Sequence, residues 1–169
     1  MENYKLLNEY INGNYKVRLF SDGTKIRFSN DDEFHPEFPE SIDLKITNKC
    51  DLGCLMCHEK STPTGKNADL NHPLFESLTS GTELAIGGGN PLEHPELISF
   101  LRRMKEKGVI CNITINQIHL MKNLDLIQNL IEERLIYGLG VSIINDLSLN
   151  DVITFVIKII MLLFTLLLV

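Results

Sequence analysis

The sequence predicts an α/β protein in which a parallel sheet follows a small N-terminal β appendage. From residue 41 onward, short apolar segments alternate with segments of helical periodicity. Strands that alternate with helices in this way are typical of parallel βαβ units. A glycine-rich turn directly follows one of the apolar segments, and an Asp-Gly turn separates two alternating segments near the N-terminus.

The N-terminal appendage is predicted to be a β hairpin. Residues 15–20 alternate between core-type and polar side chains, residues 21–24 read Ser-Asp-Gly-Thr, and residues 25–28 resume the alternation. An Asp-Gly turn between alternating segments favours a hairpin. The acidic stretch 30–40 contains two prolines and indicates a linker. We therefore divide the chain into an appendage with its linker at 1–40, a core at 41–151 and a hydrophobic tail at 152–169.

The core is predicted to contain about four βα units. Its strands are expected in short segments rich in apolar residues, at 42–47, 83–86, 109–115 and 136–144. A short helix is expected at 73–78, and longer helices are expected at 95–107 and 123–133. Pro95 suits the first helical position, and one face of that helix carries Leu97, Ile98, Leu101 and Met104. Ligands gather at the carboxyl ends of parallel strands, so the segments that follow the strands are where a site is expected.

The composition excludes several classes of protein. With 169 residues, a net charge of −6 and 44% hydrophobic residues, the chain is long enough for one folded domain and is not of disordered composition. Its acidic balance argues against a nucleic-acid partner, which requires clustered Lys and Arg. The N-terminus has no apolar run behind a basic start, so we expect no signal peptide and a cytoplasmic location.

Three cysteines form a motif that suits a metal centre. Cys50, Cys54 and Cys57 are spaced C-x3-C-x2-C directly after the first core strand. Three thiolates on one short loop can converge on a four-iron cluster and leave one iron open to a further ligand. A zinc site would need a fourth ligand, for which His58 is the near candidate, and three buried thiols are the alternative without metal. Cys111 lies mid-strand among apolar residues, as a small core residue does.

The second motif is Gly87-Gly88-Gly89-Asn90-Pro91, directly after the second core strand. Glycines at this place let a ligand approach the main chain closely and expose N–H groups to it. The sequence fits neither the dinucleotide-binding glycine pattern nor a P-loop. By itself, a glycine-rich turn is more often only a turn.

In this order and at consecutive strand ends, the two motifs resemble those of the radical S-adenosylmethionine (radical SAM) superfamily, over about residues 41–142. The resemblance implies a partial parallel (β/α) barrel with an N-terminal β hairpin and a hydrophobic C-terminal helix. It implies a [4Fe–4S] cluster whose ligands are Cys50, Cys54 and Cys57, with S-adenosylmethionine on the open iron.

The resemblance also implies contacts to S-adenosylmethionine. The methionine amino group is expected to bind at Gly87, Gly88, Gly89 and Asn90, so a side chain at Gly88 would collide with the cofactor. Met56 stands where the family usually has an aromatic residue beside the adenine, and Asn90 stands where it usually has Glu. The ends of the third and fourth strands supply two further candidate contacts, Asn116 and Ser142.

The family activity is reductive cleavage of S-adenosylmethionine to a 5′-deoxyadenosyl radical, which abstracts a hydrogen atom from a substrate. We expect the same of this chain, on an unknown substrate and with a reductant such as flavodoxin or ferredoxin. No further catalytic side chain is implied. The alternatives are a non-catalytic iron–sulfur or zinc binding module, and an inactive truncated remnant with a membrane-seeking tail.

The C-terminal segment, residues 152–169, is apolar apart from Lys158 and two threonines. It has three interpretations: a tail that contacts a membrane, a buried core helix, or the product of a frameshift after the fourth strand. Its length is near the lower limit for crossing a bilayer. We favour truncation or frameshift, because the family barrel has more strand–helix units than the four found here. We accordingly expect slow turnover by the chain alone.

Overall fold

The computed structural model describes residues 5–21, 24–143 and 149–167, and describes the side chains of the last helix as far as residue 159. It shows a mixed α/β protein with two sheets, a three-stranded antiparallel sheet and a four-stranded parallel sheet. The predicted α/β class, with a parallel sheet behind a β appendage, is confirmed at this level.

The N-terminal sheet has one strand more than the sequence predicts. Its strands are β1 (Leu6–Asn12), β2 (Tyr15–Phe20) and β3 (Lys25–Ser29), in the order β1-β2-β3. The predicted hairpin is the antiparallel pair of β2 and β3, and two residues of its predicted turn, 22 and 23, lie outside the described residues. The sequence pattern misses β1 because a register irregularity between Leu6 and Asn8 breaks its alternation.

Hydrogen bonds and ion pairs join the N-terminal sheet to the amino end of the parallel sheet. Glu40, whose side chain is 11% exposed, accepts hydrogen bonds from Arg27 and from the Tyr15 hydroxyl. Lys25 lies 3.6 Å from the same carboxylate and also pairs with Glu83 at the start of the second parallel strand. The appendage therefore packs at the end of the sheet opposite the carboxyl ends of its strands.

The parallel sheet runs in chain order. Its strands are β4 (Ser41–Thr47), β5 (Glu83–Gly88), β6 (Ile110–Asn116) and β7 (Gly138–Ser142). All four predicted core strands are present, and each neighbouring pair is parallel. Residue 144, the predicted end of the last strand, lies outside the described residues. Within the described part of the chain, β4 and β7 are the two edges of the sheet.

In the part of the chain that the structure describes, four α-helices accompany the sheet: α1 (Leu97–Glu106), α2 (Gln117–Lys122), α3 (Leu124–Glu132) and α4 (Leu149–Leu167). Two short 3-10 helices lie at Pro73–Ser77 and Pro91–Glu93. The helix predicted at 95–107 begins at Leu97, so the placement of Pro95 at its first position is wrong. Its buried face includes Phe100, whereas Ile98 is 38% exposed. The sequence pattern misses α2, which is a single short helix that follows β6 without a loop.

The last helix packs on the core through one face. Val152, Phe155 and Ile159 are buried, and α4 contacts α2 and α3. The spacing of these three residues places them on one side of an α-helix. Ile153 and Ile157, on other sides of the helix, are about half exposed. No helix within the described residues is long and apolar enough to cross a membrane.

Candidate functional site

The carboxyl ends of the four parallel strands open into one cavity of about 680 Å³. The segments after β4 and β5 line it, together with the ends of β6 and β7. The sites predicted from the two motifs thus lie on one cavity. Its lining includes the predicted residues Cys50, Cys54, Met56, Cys57, Gly87, Gly88, Gly89, Asn116 and Ser142.

The cysteine loop is a compact series of turns. The Cys50 amide donates to the Thr62 carbonyl, and the Cys57 amide donates to the Cys54 carbonyl. Gly53 has a φ of +58°, a conformation that favours glycine. These turns leave Cys50 and Cys57 partly buried and Cys54 exposed. Met56 is 94% exposed, so its side chain is available to a ligand and contributes little to the core.

The thiols of the loop differ electrostatically from Cys111. Hydrogen bonds from the main-chain amides of Ser61 and neighbouring residues outweigh burial and lower the pKa of the Cys57 thiol, which favours the thiolate that binds metals. Burial raises the pKa of Cys50, and the charge of Asp51 acts in the same direction. Burial raises the pKa of Cys111 to about 12, so this thiol stays protonated at neutral pH. Cys111 is 1% exposed within the core of the sheet.

The glycine motif packs against the base of the cysteine loop. A Cβ at Gly88 would lie 2.2 Å from the Thr47 carbonyl oxygen, and one at Gly89 would lie 2.2 Å from that of Lys49. A side chain at Gly88 would therefore collide with the main chain of Thr47, and its expected collision with the cofactor stays a prediction. Gly87 is different, since a Cβ there would meet no atom of the described residues within 4 Å.

Asn90 serves the local fold. It is 3% exposed and is not among the described residues that line the cavity. Its side-chain oxygen accepts from the Leu92 amide, 3.3 Å away, and its side-chain nitrogen donates to Glu93, 3.1 Å away. Its main-chain amide donates to the Lys49 carbonyl over 2.7 Å. These bonds give Asn90 a role in the local fold, and its assignment to the methionine amino group stays a prediction.

Asn116 and Ser142 lie where the sequence places them, at the ends of β6 and β7. The Asn116 side-chain oxygen accepts a hydrogen bond from the Ile118 amide over 2.9 Å and caps α2. Its NH2 group has two further donor hydrogens at the cavity wall. Ser142 is exposed at the cavity wall.

The structure adds two residues that the sequence interpretation did not select, Asp51 and His119. His119 is 2% exposed in α2, and its Nε2 donates to Asp51 Oδ1 over 2.7 Å. That hydrogen bond lowers the pKa of the Asp51 carboxyl. The position of His119, three residues after the end of a parallel strand, was the available sequence signal.

One sulfur and two other donors meet at this point of the cavity. Cys50 Sγ, a carboxylate oxygen of Asp51 and a ring nitrogen of His119 lie within 4.8 Å of one another. Among the described residues, the three cysteine sulfurs do not form such a group, and His58 belongs to none. His58 is 90% exposed and lies beside Glu59, which does not favour it as the fourth zinc ligand.

The three cysteines nevertheless suit a cluster better than a single ion. A single ion needs its ligands at one point, whereas a cubane cluster binds each thiolate through a different iron atom and needs space between them. Cys50, Cys54 and Cys57 all line the 680 Å³ cavity. Cys50 and Cys57 are partly buried and Cys54 is exposed to solvent. The three thiols and the volume of the cavity therefore fit a cluster.

The fold and the site define an α/β protein with a cysteine-lined cavity at the carboxyl edge of a parallel sheet. The chain is similar to the tungsten-containing aldehyde ferredoxin oxidoreductase cofactor-modifying protein of Pyrococcus furiosus, with 28% identity over 81 residues. The match covers 43% of this chain and 22% of that relative's length. No protein-family model and no solved structure matches the chain.

Proposed function

We propose that the chain is the core of a radical SAM enzyme, which binds a [4Fe–4S] cluster and S-adenosylmethionine. The observation that carries the proposal is the position of Cys50, Cys54 and Cys57 on the wall of one cavity at the carboxyl ends of four parallel strands. The finer fold assignment, a partial (β/α) barrel of radical SAM type, is part of the same proposal.

In this proposal, Cys50, Cys54 and Cys57 of the cysteine loop would hold the cluster through their thiolates. When bound, the cluster supplies one electron that cleaves S-adenosylmethionine into methionine and a 5′-deoxyadenosyl radical, which removes a hydrogen atom from the substrate. Lys45 pairs with Glu59 and so ties the far end of the cysteine loop to β4. This contact and the packing of Gly88 against Thr47 fix the loop at the mouth of the cavity.

The remaining wall of the cavity binds S-adenosylmethionine. Gly87 presents open main chain to the cavity, and the Asn116 NH2 group and the Ser142 hydroxyl provide hydrogen bonds at neighbouring strand ends. Met56 is exposed and flexible enough to cover an adenine face. The Pyrococcus furiosus relative is named for modifying a cofactor, which supports an enzymatic role for the segment that the two chains share.

A non-catalytic module that binds a single metal ion is the second candidate. The close group of Cys50, Asp51 and His119 favours it, because a thiolate, a carboxylate and an imidazole can all bind zinc. In that case Cys54 and Cys57 would have no part in metal binding. The two candidates therefore differ in which residues the metal requires.

Anaerobic reconstitution of cysteine variants separates the candidates. We expect Cys50→Ala, Cys54→Ala and Cys57→Ala each to lose most of the bound iron and sulfide. Cys111→Ala is the matched control and keeps both, because its thiol is buried in the core. Stoichiometric zinc that depends on Cys50, Asp51 and His119 but survives Cys54→Ala and Cys57→Ala would overturn the proposal in favour of the single-ion module.

A further inference from the structure

A buried histidine on α2 holds the cysteine loop from across the cavity. His119 donates from Nε2 to Asp51 Oδ1 over 2.7 Å, and Asp51 directly follows Cys50. Lys122, one helical turn further along, lies 3.6 Å from the other carboxylate oxygen of Asp51. Both contacts come from α2, so this helix fixes the start of the loop while Lys45 on β4 fixes its end.

The other ring nitrogen of His119, Nδ1, makes no contact that stabilises the described fold. His119 Nδ1 is buried and has no hydrogen-bond partner among the described residues. A buried polar atom without a partner is destabilising, so packing alone does not explain a histidine at this position. His119 lines the cavity, and one of its ring nitrogens lies within 4.8 Å of Cys50 Sγ.

We propose that His119 is a positioning residue for the iron–sulfur cluster and acts through Asp51 on Cys50. Its hydrogen bond holds the Asp51 carboxylate, which fixes the main chain at Cys50 and directs the thiolate to its iron. The same bond offsets the negative charge of Asp51 beside the cluster. This inference rests on the proposed function, since it assigns a role toward the cluster.

The physical basis is the sensitivity of cluster properties to nearby charge and hydrogen bonding. Loss of groups that hold metal ligands in place typically weakens metal binding by about 10–100-fold. Reduction potentials of iron–sulfur clusters depend on nearby charge and hydrogen bonds. Without the His119 donor, the Asp51 charge would act on the cluster with less compensation, so the potential should fall. Without the Asp51 charge, it should rise.

Four variants test the inference. His119→Leu removes the donor, whereas His119→Gln keeps an N–H donor near the position of Nε2. Asp51→Asn removes the charge from a side chain that is 49% exposed and should therefore fold normally. Lys122→Met removes the weaker contact to Asp51, an exposed ion pair at 3.6 Å, and should change cluster retention much less than His119→Leu does. Circular dichroism and thermal unfolding establish that each variant is folded.

Three measurements are made on the full chain: iron and sulfide retained against a chelator, the midpoint potential of the cluster, and amide exchange of the metal-free chain. We expect His119→Leu to lose its cluster about 10–100-fold faster than the wild type, with a lowered potential. His119→Gln should recover most of the stability, and Asp51→Asn should raise the potential. In the metal-free His119→Leu chain, amides at 50–52 should exchange faster while those of β6 stay unchanged.

Cluster retention, potential and amide exchange in His119→Leu that equal those of the wild type would overturn the inference. Equal losses in His119→Gln and His119→Leu would also overturn it, because the donor would not matter. Zinc binding that requires His119 and Asp51 directly would make them ligands and reject the positioning role. If the wild-type chain itself takes up no iron, the proposed function fails, a result distinct from any of these because it appears without a substitution.

Discussion

Gly88 and Thr47 are in main-chain contact, and a Cβ at Gly88 would lie 2.2 Å from the Thr47 carbonyl oxygen. Gly88 has a φ of +115°, which side-chain-bearing residues rarely adopt. Thr47 ends β4 just before the cysteine loop, and its carbonyl accepts a hydrogen bond from the Gly89 amide over 2.8 Å. The glycine motif therefore supports the base of the loop as well as lining the cavity.

A side chain at Gly88 should destabilise the fold. We predict that Gly88→Val lowers the free energy of unfolding by about 2–5 kcal/mol, because it combines backbone strain with a main-chain collision. Urea denaturation of the metal-free chain measures this directly. A variant as stable as the wild type would show that the contact with Thr47 relaxes at little cost.

Gly87 offers the cleaner test of where S-adenosylmethionine binds. A Cβ at Gly87 meets no described atom within 4 Å, so Gly87→Val should keep the fold and the cluster. The added side chain would project into space that the cofactor needs, and we predict binding weaker by about tenfold, or about 1.4 kcal/mol. Equilibrium dialysis of the cluster-loaded chain gives the affinity. Unchanged affinity, with iron content also unchanged, would place the cofactor away from this strand end.

Acid should loosen the contact between the two sheets through Glu40. Burial opposes ionisation of this group, but hydrogen bonds from Arg27 and Tyr15, with the charges of Arg27 and Lys25, outweigh it and lower the pKa of the Glu40 carboxyl. Because the pKa of Glu40 is lower in the folded state, its carboxylate stabilises the fold fully above the unfolded-state pKa of about 4.3. That stability is lost as the pH falls through the folded-state pKa.

We therefore predict that Glu40→Gln destabilises the chain by about 1–3 kcal/mol at pH 7 and flattens the fall in stability below about pH 5. The measurement is urea unfolding of both chains at several pH values. Glu33→Gln is the matched control, because Glu33 is exposed in the same stretch of chain. Parallel pH profiles for the wild type and Glu40→Gln would show that Glu40 does not link the sheets energetically.

The last helix should contribute to the core through its buried face. Phe155 is 6% exposed, and we predict that Phe155→Ala lowers the free energy of unfolding by about 3 kcal/mol. Ile157 is 54% exposed, so Ile157→Ala should change it by about 0.5 kcal/mol or less. Equal effects of the two substitutions, measured by urea unfolding, would mean that α4 does not dock as described.

Local sequence patterns predicted the elements that have strong local signals. The four core strands are short segments rich in apolar and β-branched residues, and α1 and α3 have clear helical periodicity. The strand β1 was missed because a register irregularity breaks its alternation. The helix α2 was missed because it is short and follows β6 with no loop between them. In both cases tertiary contacts, which a local pattern does not contain, select the structure.

The residues of the candidate site also divide into those that a local sequence pattern predicts and those that only the fold brings together. The cysteines were found because three ligand-type residues stand close together in the sequence. The pairing of Asp51 with His119 joins positions 68 residues apart, and no local pattern links a variable position of the cysteine motif to a histidine that far along the chain. The glycines were correctly placed at a strand end, but the sequence does not reveal that Gly88 contacts main chain while Gly87 faces open space.

In the proposed function, a cluster held by Cys50, Cys54 and Cys57 reductively cleaves S-adenosylmethionine bound in this cavity. The most direct measurement is the amount of 5′-deoxyadenosine formed when the reconstituted chain receives dithionite and S-adenosylmethionine, with Cys54→Ala as the control. We predict that the chain slowly forms 5′-deoxyadenosine and methionine in equal amounts, at least one equivalent of each per bound cluster. The control should form neither. A fully loaded chain that forms no 5′-deoxyadenosine, or a Cys54→Ala variant that forms as much as the wild type, would contradict the claim.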